Sequence, residues 1–496
     1  MKIKLLLLLS VFLFIIAGCK KDRITPVKTN PVSVTNSKSP LSVANLLQSN
    51  MVIQRDKPFT IWGKAAASAT VKVTASWNPI TVLTTANGVG DWALNIPAAP
   101  ANATPQTITV KTDGAADIIL NNILIGDVWI CSGQSNMVMP VGDISPFEGV
   151  ANYQAEIAAA NYPSIRAITL QGDYLPNPID SLPLPASWQV CSPSTAANFS
   201  AIAYYFARKL NTALNIPIGI IISAVNGSYC ESWTDKQALA SDPTVSNAYS
   251  GIHQSSQLYN GMINPLTRLA IKGFTWYQGE NNEHDDPTTY AKLNSALITG
   301  WRTLFKQGEL PFYYVQMTPF DESGTGDITL DYYAKFREGQ AMIRSITPGT
   351  GMVVTMDVGE VANHHPINKK PVGERLALLA FNKTYGQDVQ CVGPQYSSYT
   401  QSGNNITINF VNGTANGLNT INGNVLNQYF YVAGTDQVFR LGKAVISGDK
   451  IIVTAPAGTP LPIEAVRYAF TNFPVTNLQN SATLPMEPFR TDNWSN

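Results

Sequence analysis

The chain is 496 residues long, and at roughly 150 residues per domain that excludes a single small module. Lys plus Arg number 33 and Asp plus Glu 33, a formal net charge of zero, so no surplus exists to hold the protein on phosphate backbones and no nucleic-acid partner is expected. Charged residues make up 13% of the chain and apolar residues 45%, which excludes long disorder and predicts large cores under a neutral polar surface.

Met1 to Lys4 carries two lysines and precedes the apolar run Leu5 to Ala17, broken only by Ser10. The run is too short for a membrane span of about 20 residues and reads as a signal segment over residues 1–18. It ends in Ile16-Ala17-Gly18-Cys19, which resembles the lipobox at which bacterial signal peptidases cut. That resemblance implies a lipid anchor on Cys19 and an exported lipoprotein in the periplasm or at the outer membrane. Residues 19–40, rich in Pro, Ser, Thr and Asn, suit a flexible tether.

Residues 41–122 hold short β-type runs such as Phe59-Thr60-Ile61-Trp62, Val71-Lys72-Val73-Thr74 and Ile108-Thr109-Val110 between Gly, Pro and Asn turns, and predict a small β-sandwich. Residues 123–391 alternate instead. Strands are expected at Val128–Cys131, Ile165–Leu170, Ile218–Ala224, Gly273–Tyr277, Phe312–Met317 and Met352–Met356. Helices are expected at Phe199–Leu214, Tyr290–Phe305, Tyr332–Ile343 and Val372–Phe381. Strand, helix, strand in series predicts an α/β unit with a mostly parallel sheet covered on both faces. From residue 392 to 496 the pattern is β-like again, as in Ile406-Thr407-Ile408-Asn409-Phe410.

With Cys19 set aside, Cys131, Cys191, Cys230 and Cys391 remain, and an exported compartment permits two disulfides among them. No zinc-ligand spacing of Cys or His occurs, and the histidines number four: His253, His284, His364 and His365. Asp285 and Asp286 beside His284 read as a solvated loop, so neither a metal nor an organic cofactor is expected.

Ligands of an open parallel sheet gather beyond the carboxyl ends of its strands. There the sequence places Ser132-Gly133-Gln134-Ser135-Asn136-Met137, then Asn226-Gly227-Ser228, then Gln278-Gly279-Glu280-Asn281-Asn282, and finally His364-His365-Pro366. Each of these has an ordinary structural use as a cap or turn. Together they supply a hydroxyl nucleophile, an imidazole to take its proton, and neutral donors for an oxyanion, the parts of an acyl-transfer site. Gly133 permits a tight turn that exposes Ser135 and its backbone N–H, while the Gly227 N–H and the Gln278 side chain are further donors.

At these residues the chain resembles the sialate O-acetylesterases of the SGNH hydrolase superfamily. The likeness covers nearly everything after Leu41: Met51 to Arg55, Ile61-Trp62-Gly63, Gly126 to Met137, Tyr259 to Ile263, Trp276 to Glu280, His365-Pro366 with Asn368-Lys369, Val372 to Leu376, and Pro488 to Asp492. It implies a three-layer SGNH-hydrolase (flavodoxin-like) domain with flanking N-terminal and C-terminal β regions. By the same resemblance Ser135 is the nucleophile, the donors are the Ser135 and Gly227 N–H groups and Gln278, and His365 rather than His364 is the general base. Two departures stand out: Asn226-Gly227 replaces a pair of glycines, and Ala362 and Asn363 stand where an acid precedes the histidine, leaving Asp357, Glu360 or no carboxylate in that role. The implied activity is removal of O-acetyl groups from sugars through an acetyl-serine, with sialate esters first and acetylxylan or other polysaccharide esters as the alternative. A glycan-binding surface lipoprotein without turnover is the rival from another class.

Overall fold

Seven strands form the main path of an 11-stranded sheet, and their sequences explain why it lies buried on both faces. In the computed structural model, which describes residues 41–327 and 329–494, these are β1 (Ile118–Gly133), β2 (Tyr162–Thr169), β3 (Gln189–Cys191), β4 (Ile218–Ala224), β5 (Gly273–Tyr277), β6 (Phe312–Val315) and β7 (Thr350–Val353). The order is β3-β2-β4-β1-β5-β6-β7, parallel throughout except for β3, which runs antiparallel to β2. Continuous apolar runs such as Val128-Trp129-Ile130-Cys131 suit such a sheet, because successive side chains enter opposite cores.

Ile130, Ile221, Phe274 and Phe312 pack into one core. Two helices, α3 (Pro287–Phe305) and α4 (Tyr332–Ile346), feed it with Leu297, Trp301, Phe336 and Ile343. Trp129, Cys131, Ile220 and Tyr313 enter the other core, with Ile202 and Phe206 of α2 (Ala201–Leu214) and Leu376 and Leu379 of α5 (Lys370–Lys383). Each large apolar side chain buried this way contributes roughly 1.5–3 kcal/mol. Helix ends follow local chemistry: Asp286 caps α3 by accepting from the Thr289 N–H, Pro287 occupies its first turn, and Lys306 closes it with φ +55°.

The β regions are built on alternation, as in Thr70–Ala75 and Asp91–Ile96, whose every second residue is buried. One expectation changes here. The boundary drawn between residues 122 and 123 falls inside β1, whose Ile118 to Leu120 pairs with the strand Asn102–Thr112 while Asp127 to Gly133 pairs with β4. A single strand therefore serves both regions, and the described residues form one compact unit. The C-terminal part adds two four-stranded antiparallel sheets. Cys131, Cys191, Cys230 and Cys391 are free thiols, so the two disulfides the composition permits are not formed; burial pushes the Cys131 thiol up to about 12. The signal segment, Cys19 and the tether lie outside the described residues. Among the described residues no helix is long and apolar enough to cross a membrane.

Candidate active site

The turn that carries the candidate nucleophile begins where β1 ends. Gly133 has φ +140°, and a Cβ there would fall 2.1 Å from the Tyr277 carbonyl oxygen, so only glycine lets β1 and β5 approach this closely. The Gln134 N–H then donates to that carbonyl at 2.9 Å, and the short helix α1 (Ser135–Val138) starts at the candidate nucleophile. Ser135 is 7% exposed and lines a cavity of about 490 Å³ together with Gly227, Asn281, His364 and His365. That volume lies within the range of small-molecule sites, roughly 300–1,000 Å³. Among the described residues the backbone N–H groups of Ser135 and Gly227 have no hydrogen-bond acceptor. Gly227 reaches this geometry in the left-handed region, at φ +62°.

Gln278 behaves differently from the expectation. It is 1% exposed and is not part of the cavity wall. Its Nε2 donates to the Ser228 carbonyl at 3.2 Å and to Asn282 Oδ1 at 2.7 Å, while its Oε1 accepts from the Tyr290 hydroxyl at 3.0 Å. A side chain so engaged ties the loops behind the site together and has no donor left for an oxyanion. The amide of this loop that lines the cavity is Asn281, three residues on, beside Gln134 and Asn226 from the neighbouring loops. Its Nδ2 donates one hydrogen to the Gly227 carbonyl at 2.9 Å, and its Oδ1 accepts from Gln134 Nε2 at 3.3 Å. Gln134 Oε1 accepts in turn from the N–H groups of Gly279 and Asn281, at 3.3 and 3.4 Å. The amide-rich run Gln278 to Asn282 marks this loop in the sequence, but spacing alone does not say which amide turns inward.

His365 brings its imidazole to the cavity without a carboxylate partner. Asp357 is spent on Arg375, a bidentate pair at 2.7 and 2.5 Å. Glu360 accepts from the Ile367 N–H at 2.8 Å and from Asn363 Nδ2 at 3.2 Å. Asn363 Oδ1 takes the backbone N–H of His365 at 2.9 Å, so it fixes the loop and not the ring. The ring itself packs edge-on against Phe147, centroids 5.0 Å apart, and against His364 at 3.9 Å. Its Nε2 is buried with no hydrogen-bond partner. Burial, then His364 and Lys369, push the His365 pKa down to about 4, so the imidazole is a free base at neutral pH. His364 is also lowered, by burial and then Lys369.

Beneath Ser135 lies a polar cluster that sequence reasoning left unassigned. Asn136 Nδ2 donates to Glu280 Oε1 and, at 3.0 Å, to the His364 carbonyl; its Oδ1 accepts from Lys369 Nζ. Lys369 is 2% exposed, and burial brings its amine down to about 7 against the supporting charges of Glu280 and Glu360. Burial raises Glu280, and its bonds to the backbone and Asn136, then the charge of Lys369, oppose the rise. One amide thereby fastens helix α1 to the histidine loop. Near the rim, Glu283, His284 and Glu322 bring three ligand atoms within 4.8 Å of one another, the one group among the described residues with the makings of a cation site.

Comparison with known proteins gives the chain's family. Residues 125–379, more than half of the chain, match the model of the family described as "Carbohydrate esterase, sialic acid-specific acetylesterase". The rat sialate O-acetylesterase is 28% identical over 414 residues, covering 69% of this chain and 73% of its own. Its human counterpart is 28% identical over 385 residues, covering 69% and 71%. A crystal structure of a carbohydrate acetylesterase from Xanthomonas citri superposes with a TM-score of 0.82 at 32% identity, covering 91% of this chain and all of the other. The chain belongs to the sialic acid-specific acetylesterase family of carbohydrate esterases, carboxylic ester hydrolases that take O-acetyl groups off sugars.

Proposed function

We propose that the described site is a serine esterase centre of SGNH type in which Ser135 attacks the acetyl carbonyl of an O-acetylated sugar and His365 takes the serine proton. The observation that carries this reading is the meeting, in one cavity, of a hydroxyl at a glycine-enabled turn, an unpartnered imidazole nitrogen and two free backbone N–H groups. The carbonyl oxygen becomes an oxyanion beneath the N–H groups of Ser135 and Gly227 and the second amide hydrogen of Asn281. Collapse breaks the acetyl–O–sugar bond, the sugar oxygen leaves with the proton held by His365, and acetyl-Ser135 remains. His365 then deprotonates a water molecule that attacks this ester, releasing acetate and restoring the serine. No step calls for a metal or an organic cofactor.

The three layers, α2 and α5 on one face of the sheet and α3 and α4 on the other, support the SGNH assignment. Export as a lipoprotein anchored through Cys19 belongs to the same proposal and rests on the sequence of the first 19 residues; loss of membrane association in Cys19→Ala tests it. For the chemistry, a chromogenic acetyl ester is hydrolysed by the wild type and, at background rate, by Ser135→Ala. Equal rates for the two proteins overturn the serine mechanism, and absence of turnover in both favours a glycan-binding lipoprotein.

A further inference from the structure

The cavity wall carries charge of one sign. Glu280, Glu283 and Glu322 line it, and among the described lining residues there is no lysine or arginine. Its two histidines have lowered pKa values and stand neutral above pH 7. Lys369 lies behind Asn136 and offsets Glu280, to which it is coupled. That leaves Glu283 and Glu322 facing a ligand with exposed His284 beside them, at 3.8 and 3.6 Å.

An anionic sugar would bring its carboxylate to this wall with no cation to receive it. A carboxylate pair about 6 Å apart at a partly solvated rim weakens binding by roughly tenfold. A neutral sugar meets no such opposition. Its hydroxyls are donors, and the wall offers acceptors in the Glu283 and Glu322 carboxylates and the amide oxygens of Asn226 and Asn281. Apolar Phe147, Met317, Phe320 and Tyr333 in the same wall suit the acetyl methyl and the faces of a pyranose.

Resting on the esterase reading above, we infer that this site selects neutral, hydroxyl-rich O-acetylated sugars over anionic ones, with Glu283 and Glu322 as the residues that set the discrimination. Sialate esters are then poor substrates for this member of the family, and O-acetylated neutral glycans are the preferred class.

The experiment measures kcat/KM at pH 7.5 for an O-acetylated neutral oligosaccharide and an O-acetylated sialoside, by released acetate, with wild type, Glu283→Gln, Glu322→Gln and the double variant. A neutral phenyl acetate reports in parallel that the centre is active. The expected result is a preference of tenfold or more for the neutral sugar in the wild type, narrowing in each variant because the sialoside gains relative to the neutral sugar. Equal values, a preference for the sialoside, or a preference unchanged in the double variant overturns the inference while leaving the esterase reading intact. Sialoside turnover that matches the neutral sugar only with added calcium or zinc, and is lost with chelator, also overturns it and assigns Glu283, His284 and Glu322 to a cation. Failure to hydrolyse the phenyl ester, by contrast, strikes the esterase reading itself.

Discussion

In the proposed mechanism, where His365 takes the serine proton, its depressed basicity sets the acid limit of activity. An ordinary imidazole near 6.5 would be only about one-tenth neutral at pH 5.5, whereas one at about 4 is still more than nine-tenths neutral there. The ratio is roughly tenfold in the fraction of free enzyme able to accept the serine proton. That fraction is what the acid limb of kcat/KM reports. Measured as acetate released from a neutral acetyl ester between pH 3.5 and 8, kcat/KM of Glu283→Gln, chosen so that the carboxyl at about 7 does not overlay the curve, is expected to fall with a midpoint near 4. Replacing Lys369 by Met removes one of the charges that oppose protonation and moves the midpoint upward. A limb centred at 6.5 or higher in the parent would refute the reasoning, because it would require a carboxylate or other acceptor holding the imidazolium. Stability follows the same sign. The folded state binds this proton less tightly than the unfolded chain, so the contribution of His365 is complete above 6.5 and is lost as pH falls from 6.5 toward 4.

Asn136→Ala strips the shared hydrogen-bond partner from Lys369 and Glu280; losing a buried hydrogen bond to a charged group costs roughly 1.5–3 kcal/mol, and urea unfolding that shows less than about 1 kcal/mol would contradict the cluster's role. Asn281→Ala is expected to lower kcat/KM by about 10²-fold, the usual loss for one oxyanion donor, with little change in melting temperature. Gln278→Ala should do the opposite, lowering stability by about 2 kcal/mol through its lost buried hydrogen bonds; the reverse ordering of the two variants would return the oxyanion role to Gln278. In Gly227→Ala the new Cβ has room, its nearest neighbour being Asn281 Nδ2 at 4.0 Å, so the cost is that of the left-handed backbone, about 1 kcal/mol. Calorimetry showing no loss of stability there would mean that this backbone geometry is not kept in solution.

Long apolar runs and helical periods were legible because both cores impose them. Ile218–Ala224 and Gly273–Tyr277 occur with the expected ends, and all four expected helices occur, displaced by at most three residues where caps rather than periodicity decide the boundary. Strand β1 is longer than the expected Val128–Cys131. Its first half, Ile118 to Gly126, includes polar Asn121 and Asn122, which interrupt the apolar run, yet it pairs with Asn102–Thr112 and Val52–Gln54. At the site, residue types and their order identified the loops that converge, since the ends of parallel strands dictate the convergence. Which side chain within a loop faces inward depends on tertiary hydrogen bonds. Gln278 turns toward Tyr290 and Asn282, and the Asn136–Lys369 contact joins residues 233 apart in the chain; no local spacing announces either.

The length of β1 also bears on how this enzyme can be dissected. Its midsection is bordered by Val52–Gln54, and at that junction Asp127, fully buried, accepts from Arg55, Gln54 and the Tyr385 hydroxyl. A truncation that starts at residue 123 would sever those ties, bare a row of main-chain amides and strand a carboxylate in the interior. Such a fragment would tend to aggregate. The amino-terminal region is thus the keel of the hydrolase, and grafting or swapping experiments must carry it along.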